Sequence, residues 1–217
     1  MPKTLRKQIR AVREEMRSRP PGLRAHVERV LEEALDLADR YDADRERVEL
    51  ATVGHDLFRA HAPAKLLKLA KEAGILVSEW DERSPVMLHG PLAAIVLRER
   101  FGVDDDEVLA AVRDHTTGRP EMPLIARIIL VADKIERRKR KRAPQLPDIR
   151  RVARRDLDTA MLCWADYKWV EERERGWDSY PAHWEARVRW VAEHHADIGL
   201  PPRTDDFPDE LGPATGL

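Results

Sequence analysis

Leu, Val, Ile and Ala recur along this chain at spacings of three and four with charged residues between them, the pattern of helices that bury one face and wet the other. Alternating strand patterns are nearly absent, so the expected fold class is all-α. Residues 4 to 17 read as a charged helix that "SRPPG" stops, because paired prolines followed by glycine break the hydrogen-bond ladder. Leu23, Val27, Val30, Ala34, Leu37 and Tyr41 then define one apolar stripe that ends near "YDAD". A third helix is expected from about Asp44 to Ala60, and a fourth from Pro63 until Gly74 terminates it. After the irregular "SEWDERSP" the pattern gives a helix from about Met87 to Phe101, a short one after "GVDDD", the loop "HTTGRPEMP", and the strongly apolar helix "LIARIILVADKIE". The stretch "APQLP" separates these from a C-terminal helical pair, roughly 148 to 175 and 181 to 197, which together with its connection carries five of the six tryptophans. The division expected is an N-terminal charged helix at 1–20, a core at 21–147, a helical extension packed on that core at 148–199, and a tail at 200–217. The tail is Pro- and Asp-rich with little to bury, so it is expected to be disordered.

Several polar residues stand where that pattern calls for apolar ones. His26 shares the stripe of Leu23 and Val30 and points inward. His55 shares a face with Ala51 and Phe58, Asp56 lies beside Val53 and Leu57, and Asp133 stands four after Ile129 in the most hydrophobic segment. His89 in "MLHGP" and His115 in "DHTTG" sit at helix edges beside Gly or Thr, where a backbone can approach a ligand closely. Ionisable groups taken out of water are costly unless a charge or a metal compensates them. A lone inward histidine is ordinarily a hydrogen-bonded core or surface residue, and His61, His183, His194 and His195 are read that way. For His26, His55, Asp56 and Asp133 that reading needs four separate accommodations, whereas one divalent cation satisfies all of them. Imidazole and carboxylate donors suit Zn, Fe or Mn, and no thiolate set is present for a structural zinc site.

Composition narrows the classes. With 39 Lys+Arg against 40 Asp+Glu the formal net charge of the 217 residues is -1, which is not the basic body of a dedicated nucleic-acid binder. The run "RRKRKR" from Arg137 to Arg142 could dock on RNA phosphates, but such a run is more often a solvated helix end, so nucleic acid is not an expected partner. The single cysteine, Cys163, excludes an intramolecular disulfide framework and fits a reducing compartment. The N-terminus lacks a signal-type apolar segment and no apolar run approaches the ~18 residues of a membrane span. A cytoplasmic protein without a membrane partner is expected.

Taken in order, His26, then "HD" at His55 and Asp56, then "HG" at His89, then "HTTG" from His115 to Gly118, then "VADKIE" around Asp133 resemble the HD-domain superfamily of metal-dependent phosphohydrolases. Within it, the "HG…HTTG…ADKIE" set is similar to the YqeK-type symmetrical bis(5'-nucleosyl)-tetraphosphatases, and the likeness covers roughly residues 22 to 160. The resemblance implies a helical bundle with a divalent metal, iron first and manganese or zinc as alternatives, held by His26, His55, Asp56 and Asp133. It implies that His89 and His115 face the phosphates or hold a second metal. The implied reaction cuts diadenosine tetraphosphate at its centre to two ADP, with water as nucleophile and His55, Asp56 and Arg59 as catalytic residues. Arg59 stands where the family usually has lysine; it keeps the charge but is not deprotonated, so phosphate binding and transition-state stabilisation are its expected work. Substrate contacts are expected from Arg59, His89, His115, Thr116, the backbone at Gly118, Arg137 and Lys139. Two departures stand out. Leu23 occupies a place where the family typically has arginine, with Arg24 beside it, and Arg137 replaces a proline after "DKIE"; in a continuous helix Arg137 and Arg140 share Asp133's face better than Lys139 does. An HD phosphohydrolase acting on a mononucleotide is the alternative enzyme, a non-catalytic RNA-binding protein the alternative of another class. A nucleotide is the expected partner, and a homodimer is left open.

Overall fold

A computed structural model describes residues 2–141 and 143–197, so the expected disordered tail at 200–217 and Arg142 of the basic run lie outside the described residues. Twelve α-helices and one 3-10 turn follow in order among them: α1 (Pro2–Arg17), α2 (Pro21–Arg40), α3 (Arg45–Gly54), α4 (Pro63–Glu72), α5 (Glu79–Arg83), the 3-10 turn Pro85–Leu88, α6 (His89–Phe101), α7 (Asp106–Asp114), α8 (Leu124–Ile135), α9 (Arg137–Arg140), α10 (Leu146–Ala153), α11 (Leu157–Arg175) and α12 (Pro181–Asp197). No strand occurs among the described residues, and no helix of theirs is long and apolar enough to cross a membrane.

The most apolar helix lies at the centre. Ile128, Ile129, Leu130, Val131 and Ala132 are fully buried, and α8 packs against α2, α3, α7, α10 and α11. The stripe on α2 meets it through Val27, Val30, Ala34 and Leu37, all in the same continuous core that takes in Trp164 and Trp190 of the C-terminal helices. Capping fixes the starts. Asp44 accepts from the amides of Glu46 and Arg47 at the head of α3, and Asp105 accepts from those of Glu107 and Val108 at the head of α7. Arg47 then grips Asp105 with two bonds of 2.6 and 2.7 Å, tying α3 to α7.

Several expected boundaries move, each for a local reason. The third helix stops at Gly54 instead of running to Ala60, because His55 Nδ1 bonds the Thr52 carbonyl at 2.6 Å and three-residue turns follow, such as Arg59 N to Asp56 O at 3.0 Å. The "DKIE" helix stops at Ile135: Glu136 turns extended (φ -57°, ψ 151°) and its side chain caps α9 through the amides of Arg138 and Lys139. The expected helix at 148–175 is two helices, since Asp156 caps a new start through the Thr159 amide. The stretch read as irregular holds α5, nucleated by a capping box between Ser78 and Asp81. The C-terminal helices close on the rest through α10 and α11 against α8, with the Tyr41 hydroxyl donating to the Ala153 carbonyl at 2.7 Å.

Candidate metal centre

The ends of five helices converge on two buried carboxylates. Helix α2 supplies His26, the turn after α3 supplies His55 and Asp56, the first residue of α6 is His89, the end of α7 gives His115, and the last turn of α8 carries Asp133. Asp56 is the hub. Its Oδ2 lies 3.5 Å from Nε2 of both His26 and His55, and its Oδ1 lies 3.1 Å from His89 Nε2 and 3.6 Å from His115 Nε2. His26 Nε2 also reaches Asp133 Oδ1 at 3.0 Å, and the Asp133 carboxylate is held by Lys139 Nζ at 2.6 Å and Lys134 Nζ at 2.8 Å.

One local device recurs at three of the histidines. His55, His89 and His115 each turn Nδ1 back to the carbonyl three residues earlier, of Thr52, Val86 and Val112. A carbonyl only accepts, so Nδ1 carries the proton and Nε2 faces the cluster as a lone pair. The glycine after His89 lets this happen at close quarters. A Cβ on Gly90 would stand 2.6 Å from the Arg113 carbonyl and 3.3 Å from His115 Nδ1, so "HG" is a condition for α6 to approach α7.

These donors fit a divalent cation and do not satisfy one another. The Nε2 atoms of His89 and His115 are 2.9 Å apart, two lone pairs that repel until a proton or a cation lies between or beside them. His55 Nε2 is buried with no hydrogen-bond partner among the described residues. Two triads, His26–His55–Asp56 and Asp56–His89–His115, each bring their ligand atoms within 4.8 Å of one another, and Asp56 belongs to both. Nitrogen and carboxylate oxygen are donors that iron, manganese and zinc accept.

Electrostatics set the right protonation states. Burial pushes the His115 imidazole down to about 4, with Asp56 pulling the other way, and it lowers His55 likewise, so both stay neutral and able to coordinate. For Asp133 burial opposes ionisation, but the ammonium groups of Lys134 and Lys139 and the hydrogen bond from His26 more than offset it, and the group lies well below the usual carboxylate range. Asp56 also lies well below the usual carboxylate range where His55, His115 and His89 offer it positive charge or an N–H against the cost of burial, the place that a cation takes when these rings present lone pairs.

The cluster opens into a cavity of about 440 Å³ whose walls include Leu23, Arg59, Met87, Thr116, Lys134 and Lys139. Arg59 is exposed at this wall even though the backbone there is turn and not helix. Thr116 Oγ1 lies 3.1 Å from His115 Nε2. Leu23 lines the cavity, whereas Arg24 is exposed and does not. The break at Glu136 reverses the expectation at the basic run: Lys139 reaches Asp133, Arg140 turns to Glu33 and the Ile135 carbonyl, and Arg137 is exposed and outside the cavity wall. Gly118 needs correction too. Its amide donates to the Asp114 carbonyl at 2.8 Å, its φ is +73°, and a Cβ there would meet the Trp190 ring at 2.5 Å. It serves a left-handed turn under Trp190 and is not free to meet a phosphate. Sequence reasoning passed over Lys134, whose Nζ also reaches the His115 carbonyl at 3.2 Å; the signal was an inward lysine in the most apolar segment of the chain.

Comparison with known proteins bears on the same residues. The family model described as "HD domain" matches residues 23–138, more than half of the chain and a span that takes in every histidine and aspartate of the cluster. A protein of Halalkalibacterium halodurans named bis(5'-nucleosyl)-tetraphosphatase, symmetrical, is 37% identical over 139 residues, 63% of this chain and 72% of that protein. One of the same name from Bacillus subtilis is 31% identical over 137 residues, again 63% and 72%. Among solved structures, a predicted HD superfamily hydrolase involved in NAD metabolism from Clostridium acetobutylicum superposes with a TM-score of 0.79 at 28% identity, covering 84% of this chain and 96% of that one. From its ordered histidines to its helical frame, this chain belongs to the HD-domain family.

Proposed function

We propose that the protein is a cytoplasmic metal-dependent hydrolase that cuts dinucleoside tetraphosphates at the centre of the polyphosphate, diadenosine tetraphosphate and water giving two ADP. The observation that carries this is the Asp56 hub, ringed by imidazole nitrogens of which His55 Nε2 has no hydrogen-bond partner among the described residues, beside lysines at the wall of an open cavity. The relatives named for that reaction supply the substrate class.

His26, His55, Asp56 and Asp133 would hold the metal, with His89, His115 and the shared Asp56 forming a second position for an ion or for a phosphate. Iron is the metal proposed, with manganese and zinc served by the same donors. When bound, a divalent cation supplies Lewis acidity, withdrawing charge from a phosphoryl oxygen and lowering the pKa of water from about 15.7 towards about 7. The protein's own groups do the rest. Lys139 and Lys134, already turned to the site by Asp133, and Arg59 at the wall offset the charge of the polyphosphate. Thr116 Oγ1 offers a short donor beside His115 and His89. The leaving group is ADP, a good anion, so a permanently protonated Arg59 suits charge stabilisation and no proton donor is required of it.

Product identification tests the reading. Metal-loaded protein is expected to release ADP alone from diadenosine tetraphosphate. Formation of ATP with AMP, or inertness towards the dinucleotide alongside dephosphorylation of a mononucleotide, overturns it.

A further inference from the structure

The metal-site cavity does not end at Asp133. Met87, Thr116, Lys134 and Lys139 also line a neighbouring cavity of about 470 Å³ that the C-terminal helices close. Trp164 and Tyr167 of α11 and Tyr180, just before α12, give that space an aromatic wall. The Trp164 ring lies 5.2 Å from Lys134 Nζ, the same ammonium that binds Asp133, and its centroid is 4.9 Å from that of His183.

His183 is the residue that the metal centre leaves unexplained. It is 4% exposed and lines the second cavity. Its Nδ1 lies 3.1 Å from the Thr117 carbonyl, which places the ring proton on Nδ1 and the lone pair on Nε2. That Nε2 is buried and has no hydrogen-bond partner among the described residues. Burial pushes the imidazole down to about 4, so it is a neutral acceptor at physiological pH. A desolvated acceptor without a donor is costly, and groups of this kind in an aromatic-walled cavity of this size are what orient a planar ligand.

We infer that this cavity is a nucleoside subsite: one base of the substrate packs on the Trp164 and Tyr167 wall and donates an N–H to His183 Nε2, while the attached phosphates run past Thr116, Lys134 and Lys139 to Asp56. The inference rests on the dinucleotide reading above and deepens it. Adenine brings its exocyclic amino group and guanine its N1–H and amino group to such an acceptor. Purine riboside has neither, so the site discriminates against it.

Calorimetric titration of the metal-loaded protein tests this without turnover, using ADP, purine riboside 5'-diphosphate and inorganic tripolyphosphate. The wild type is expected to bind ADP about five- to tenfold more tightly than the purine riboside diphosphate. His183→Leu is expected to erase that difference by weakening ADP alone, with tripolyphosphate affinity unchanged. Tyr167→Ala, at a half-buried position, is expected to weaken both nucleotides and spare tripolyphosphate, and it serves if His183→Leu does not fold. Unchanged ADP affinity in the variants, or tripolyphosphate affinity falling in step with ADP, overturns the subsite. The two readings fail separately: a wild type that discriminates between the diphosphates but does not cleave diadenosine tetraphosphate loses the reaction and keeps the subsite, and a wild type that cleaves without discriminating loses the subsite.

Discussion

Two groups of buried acids, neighbours through His26, are neutralised by different chemistry. Around Glu33 and Glu136 the partners are donors only, guanidinium groups and backbone amides: Arg29 Nε reaches Glu136 at 2.6 Å beside the amides of α9, Arg150 Nε reaches Glu33 at 2.7 Å, and Arg140 binds Glu33 as well. Arginine only donates and a carboxylate only accepts, so this group is complete as protein. Around Asp56 the partners are imidazoles whose protons are turned away to backbone carbonyls, leaving acceptors facing acceptors. Burial of charge is common to both. What separates a structural cluster from a chemical one is whether the protein's own groups can satisfy it.

The largest test of that contrast is Asp56→Ala, which is expected to abolish turnover while the protein retains its helical circular dichroism and a cooperative thermal transition; full activity in the variant would sink the assignment. Chelation comes next. Stripping the metal is expected to remove turnover reversibly, and restoring it at one hundred times its dissociation constant should stabilise the fold by about 2.7 kcal/mol, read as a rise in melting temperature. Glu33→Ala is the opposite case, with turnover kept and stability lowered by about 1–2 kcal/mol in urea unfolding, a figure discounted because Arg140 and Arg150 are partly exposed. If Glu33→Ala destroyed activity in a folded protein, the distinction between the two groups would fail.

The smallest effect is a slope with pH in chelator. His115 sits at about 4 in the fold and near 6.5 when unfolded, so the unfolded chain takes up the proton first. The stability this neutral imidazole contributes is complete above 6.5 and is lost as pH falls towards 4. Glu136 behaves differently: burial raises it, but the Arg29 bond and its other partners more than offset that, so its contribution is complete above the ordinary 4.5 and is lost only at more acid pH. His115→Gln is therefore expected to flatten the decline in melting temperature between pH 6.5 and 4.

The apolar stripe of α2 and the uninterrupted α8 could be read from the sequence because burial there follows helical spacing. The polar residues that break those patterns named His26, His55, Asp56 and Asp133 for the same reason. Helix ends were not readable, since they depend on side chains that bond the backbone: His55 on Thr52, Glu136 on the amides of α9. Lys134 stood out in the sequence only as a lysine in the most apolar segment; its partners, Asp133 and the Trp164 ring, are set by the packing of α11 on α8. His183 looked like any other histidine, and nothing in its neighbours along the chain marks the carbonyl of Thr117 that fixes its tautomer.

The hydrogen atom that stands in for a side chain at Gly90 acts as a gauge between two helices. A methyl group there would wedge α6 away from the carbonyls of Val112 and Arg113, and the first atoms to separate would be the two ring nitrogens now 2.9 Å apart. The separation of the two rings is thus written in the backbone, at a residue that has no side chain of its own.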